Sequence, residues 1–139
     1  MKKTAVKILS IIITIFCIFS LVACNQSKVD ATGLWENATY LSNTTIGNGH
    51  KTILVDVEVT DQKITLTIKT DKETLGEALY EHGLINDPSF FDTLNGMKAD
   101  WDKDSAYWAF YTGTEMMNYG VNDEKIEDGE HFRLVYTKY

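Results

Sequence analysis

Two alternating runs separated by a three-residue polar break limit the fold of this 139-residue chain more than any other feature. Between residues 51 and 59, Ile53, Val55, Val57 and Val59 fall on one side, with Asp56 and Glu58 on the other. After Thr60-Asp61-Gln62 the pattern resumes, with Ile64, Leu66 and Ile68 set against Thr65, Thr67 and Lys69. A side-chain period of two over both runs specifies a β-hairpin with one buried face. That face needs a cover, and the following segment supplies one. Leu75, Ala78, Leu79 and His82 recur at helical spacing. Thr70-Asp71-Lys72-Glu73 reads as a capping box at the helix start, and Gly83 can take the left-handed position that ends it.

The flanking segments are shorter and more broken. Residues 34–48 read as a short edge strand leading to a turn at Gly47-Asn48-Gly49. Beyond Pro88, Phe90 to Leu94 runs into Asn95-Gly96, a strong hairpin-turn signal, and Met97 to Trp101 returns. Residues 106–112 are aromatic on both faces, with Tyr107 and Tyr111 one way and Trp108 and Phe110 the other. Gly113 and Gly120 bracket a loop with Met116, Met117 and Tyr119, and Phe132, Leu134 and Tyr136 mark a final strand. The order specifies an α+β fold: a mixed sheet with one main helix packed across it, and short strands and hairpins in the C-terminal half.

The N-terminus carries an address. Lys2, Lys3 and Lys7 precede an apolar run over residues 8–19, and Leu21-Val22-Ala23-Cys24 closes it. The run falls short of the roughly 20 residues a spanning helix needs, and the pattern is that of a lipoprotein signal. Residues 1–23 are expected to be the signal peptide, 24–33 a lipidated Cys24 with a flexible tether, and 34–139 the folded domain. This places the protein on the extracytoplasmic face of a cell membrane, held by lipid on Cys24, in a Gram-positive envelope. Residues 1–23 hold three lysines and no acid, so the remaining chain carries ten basic and twenty acidic side chains, a formal charge of −10. Such a surface repels nucleic acid. Cys17 and Cys24 are the only cysteines, so the domain has no disulfide and no thiol chemistry.

Several of these residues together are familiar. Phe91-Asp92-Thr93-Leu94-Asn95-Gly96, Tyr107-Trp108, Gly113, Gly120-Val121, Asp128-Gly129-Glu130-His131 and the closing Tyr-Thr-Lys-Tyr resemble the C-terminal β-domain of transcobalamin and intrinsic factor. Trp35, Thr70-Asp71, Thr74-Leu75-Gly76, Ala78-Leu79 and Gly83-Leu84-Ile85 resemble its bacterial branch, small surface lipoproteins of unassigned function. The resemblance implies a β-grasp-like fold and a ligand surface built from Tyr107, Trp108 and the Met116-Met117 loop. The carriers have a Pro-Leu pair where this chain has the two methionines. Cobalamin or a related corrinoid is the implied ligand, and the chain would hold half of such a pocket, having no counterpart of the carriers' large helical domain.

Other constellations point to less. Asp100, Asp102 and Asp104 open like a calcium loop, but Ser105 and Tyr111 stand where glycine and glutamate are needed. His50, His82 and His131 lack metal spacing, and no serine lies in a nucleophile elbow. No enzyme, metal or resident cofactor is expected. The reading is a non-catalytic binding module that captures a small ligand for uptake, with a membrane importer as the expected partner; the alternative is a cell-surface protein–protein interaction or spacer module. The first predicts a concave patch near Trp108 or Met117, the second a flat surface.

Overall fold

A computed structural model describes residues 27–139. The signal, the lipidation motif at Cys24 and the start of the tether lie outside these residues. Among the described residues no helix is long and apolar enough to cross a membrane.

The hairpin forms as its pattern dictates. Strand β2 (Lys51–Val59) pairs antiparallel with β3 (Gln62–Thr70) over their whole lengths, from Lys51↔Thr70 to Val59↔Gln62. Ile53, Val55, Val57 and Val59 of β2 and Ile64, Leu66 and Ile68 of β3 are fully or almost fully buried, while Leu54 on the opposite face is half-buried. Helix α1 (Leu75–Glu81) lays Leu75, Ala78 and Leu79 into the same core. Gly83 takes the expected left-handed conformation, with φ of +66°.

The cap lies four residues later than the sequence pattern suggests. Thr74, not Thr70, is the N-cap, accepting from the Glu77 backbone N–H while the Glu77 carboxylate returns to the Thr74 N–H. Thr70 is still in the ladder opposite Lys51, and its buried hydroxyl donates to Glu81 at 2.9 Å. A strand hydrogen bond and a cap compete for the same residue, and the ladder wins.

The remaining strands are β1 (Thr44–Gly47), β4 (Thr93–Leu94), β5 (Met97–Lys98), β6 (Ala106–Thr112), β7 (Glu115–Met116) and β8 (His131–Lys138). Six form one mixed sheet in the order β1-β3-β2-β8-β6-β7; β4 and β5 form a separate small hairpin. Strand β8 lies parallel to β2 and antiparallel to β6. A leading hairpin, a helix, and a last strand inserted beside the first is the β-grasp arrangement, here extended by β1. The edge strand β1 is only four residues long and parallel to β3. Ahead of it, Trp35 is buried within a 3₁₀ turn (Gly33–Asn37) rather than a strand.

One sheet face holds the core, closed by Leu94 and Met97 from the β4–β5 hairpin and by Leu84, Val121 and Ile126 from the loops. The other face is polar. Arg133 forks onto Glu58 at 2.7 and 2.9 Å and lies over the Tyr111 ring. Asp56 accepts from Thr65 at 2.7 Å and from Lys63 at 3.1 Å, with His131 Nε2 also at 3.1 Å.

Candidate functional site

The entry to β6 is where the molecule becomes concave. The Asn95-Gly96 turn, with φ of +53° and +81°, folds β4 onto β5, and the Ala99 N–H closes the hairpin on the Asp92 carbonyl at 2.7 Å. Asp100 then caps a single helical turn, Trp101–Asp104, by accepting from the Lys103 N–H. Ser105, with φ of +49°, redirects the chain into β6. Residues 89–92 and the Gly120-Val121 corner stand around this knuckle, and Val121 is tied to α1 through its carbonyl and the Gly76 N–H at 2.9 Å.

Together they enclose a cavity of about 650 Å³. Its buried wall comes from Ala99, Ala106, Trp108 and Val121, while Phe90 and Trp101 stand at it 83% and 57% exposed. Trp101 meets Tyr107 edge-on, with ring centroids 6.3 Å apart at 60°. Trp108 is only 8% exposed and packs edge-on against Tyr136. Its indole N–H is buried without a hydrogen-bond partner.

Acidic groups complete the lining. Asp92, Asp100 and Asp102 border the cavity beside one base, Lys98. Lys98 Nζ lies 3.5 Å from the Asp92 carboxylate. The Thr93 hydroxyl, and behind it Lys98 and Asn86, hold the Asp92 carboxyl below its ordinary range. The site is thus apolar within and negative at its border.

Tyr107 and Trp108, the aromatic pair singled out in the sequence, both line this cavity. Met116 and Met117 do not. Met116 is exposed on β7 opposite Tyr111, and Met117 packs half-buried against the core with its N–H on the Phe110 carbonyl. They flank the other end of β6, because the β6–β7 turn carries them away from its start. Phe90, Phe91 and Trp101 take their place. A signal for them existed: two adjacent aromatics after Pro88 cannot both point inward. Among the described residues no three His, Cys, Asp or Glu side chains form a group that could hold a metal ion. His50 pairs with Asp71 at 2.8 Å, far along the chain from the cavity segments.

No protein-family model matches the chain, and no curated protein matches it. Solved structures do. A protein of Ruminococcus gnavus ATCC 29149, described as a candidate metal binding protein, is 28% identical with a TM-score of 0.59. That match covers 65% of this chain and 99% of the other. Haptocorrin in complex with Cbi is 17% identical with a TM-score of 0.45, over 68% of this chain and 27% of haptocorrin. The chain therefore matches about a quarter of haptocorrin's length.

Proposed function

We propose that this protein is a non-catalytic binding module, anchored through Cys24 outside the cell membrane, that captures a small, flat, partly apolar molecule in the cavity at the start of β6. One observation carries the reading: Phe90 and Trp101, two large aromatic side chains, stand exposed beside a concave wall already built from Ala99, Trp108 and Val121. Exposed rings at the mouth of an apolar concavity cost free energy in water that a flat ligand recovers by covering them. The volume suits a small molecule or part of a larger one, as pockets of roughly 300–1,000 Å³ do. A corrinoid is the first ligand to test, on the sequence resemblance to the vitamin carriers' domain. The metal binding attributed to the R. gnavus protein is less well supported here, since no three ligating side chains converge among the described residues.

The test is tryptophan fluorescence of the purified protein titrated with cobinamide and with cobalamin, corrected for ligand absorbance. Trp35, Trp101 and Trp108 are the only reporters. Saturable quenching is expected, weakened by Phe90→Ser or Trp101→Leu at an unchanged melting temperature. These exposed positions are better probes than Trp108, whose removal would open the core. No saturable response to either corrinoid would reject them as ligands.

A further inference from the structure

We infer that the ligand of this cavity is a flat aromatic cation, a charge spread over a ring system. This rests on the small-molecule reading above and specifies its chemistry. Three carboxylates border the cavity against one ammonium group, and that ammonium is already engaged, with Lys98 3.5 Å from Asp92. Asp100 accepts from the Lys103 N–H and has the exposed Lys103 Nζ 3.7 Å away. Asp102, two residues on, stands exposed without an ion pair among the described residues, so with Lys103 counted, three carboxylates against two ammonium groups leave the border negative by one charge. A neutral ligand uses this border only through hydrogen-bond donors, and an anion meets repulsion from it. The chain's single arginine cannot help an anion, because Arg133 is bound to Glu58 through a strand pair whose side chains face away from the core.

The aromatic groups fit the same ligand. Trp101 and Tyr107, tilted 60° to one another, form a corner, and Phe90 stands exposed beside the same cavity. Ring faces carry negative electrostatic potential, so each one laid against a cation adds about two- to thirtyfold in affinity over a neutral body of the same shape. The formal charge of −7 on the whole chain draws cations towards the surface from a distance. Border carboxylates, ring faces and net charge all select the same sign.

The test compares three probes of similar size by calorimetry and by NMR shifts of cavity residues: N-methylquinolinium, neutral 1-methyl-2-quinolone and anionic naphthalene-2-sulfonate. The cation should bind at least about tenfold tighter than the neutral probe, as one desolvated ring contact alone can supply, and its affinity should fall as salt is raised. Asp100→Asn with Asp102→Asn should remove most of that preference while leaving the neutral probe unchanged. Asn keeps the cap at position 100, and the melting temperature reports folding independently. Equal binding of cation and neutral probe, or tighter binding of the sulfonate, overturns the charge assignment and leaves small-molecule capture standing. Cobinamide binding without cation binding does the same. Failure of all three probes and of both corrinoids removes both readings.

Discussion

Asn95 has no exposed surface, and both the oxygen and the nitrogen of its amide are hydrogen-bonded. Its Nδ2 donates to the Tyr40 carbonyl and its Oδ1 accepts from the Tyr40 N–H, both at 2.9 Å. Its own backbone N–H reaches Leu84 at 2.7 Å and its carbonyl receives Thr39 at 2.8 Å. One turn residue thereby fastens the N-terminal segment to the small hairpin, and a side chain at Gly96 would run into the Asn37 carbonyl. Asn95→Ala strands both polar groups of Tyr40 and puts Ala at a positive φ, so it should cost about 2–4 kcal/mol in a urea melt. The turn was legible from Asn-Gly, but its second role was not, since the partner lies 55 residues away. Asp56 behaves comparably. Burial alone would raise its pKa, but the Thr65, His131 and Lys63 contacts together outweigh that and hold it below 3.8. A lowered carboxyl stabilises the fold above its unfolded pKa and loses that contribution as pH falls through the folded value. Stability should therefore drop as pH goes below 3.8, and Asp56→Asn should flatten the urea midpoint against pH in that range. An undiminished slope in the variant would assign the acid loss to other groups.

At the scale of elements, regular pattern was readable and competition was not. The hairpin β2–β3 follows from alternation alone, and α1 from its apolar spacing. The cap was misplaced because Thr70 and Thr74 each precede an acid by three residues, and only the ladder decides between them. Thr74→Ala should lower stability by about 1 kcal/mol, measured by chemical denaturation. Most of the candidate site escaped the same reading. Phe90 and Trp101 lie in stretches of no period, one in a loop and one opening a helical turn. They come together only because the Asn95-Gly96 turn folds the chain between them. Tyr107 and Trp108 were legible as an aromatic strand, yet they divide the labour: Trp108 belongs mainly to the core. Trp108→Ala should cost about 3–5 kcal/mol of stability, whereas Trp101→Ala should leave the melting temperature nearly unchanged. Comparable losses in both would mean the cavity wall is not organised as described.

For the molecule as a whole, the central fact is the place of β8. The ribbon β1-β3-β2 and the ribbon β6-β7 do not pair with each other; both pair with β8. Phe132 and Leu134 on β8 are fully buried between them. A chain made from its N-terminus thus has two unjoined half-sheets until residues 131–138 arrive. The strands that need this partner wait for it, with Val55 and Val57 unshielded along one edge and Phe110 along the other. The eight residues of β8 are thus what joins the two halves into one sheet. A chain halted before them carries two open strand edges instead of one closed sheet.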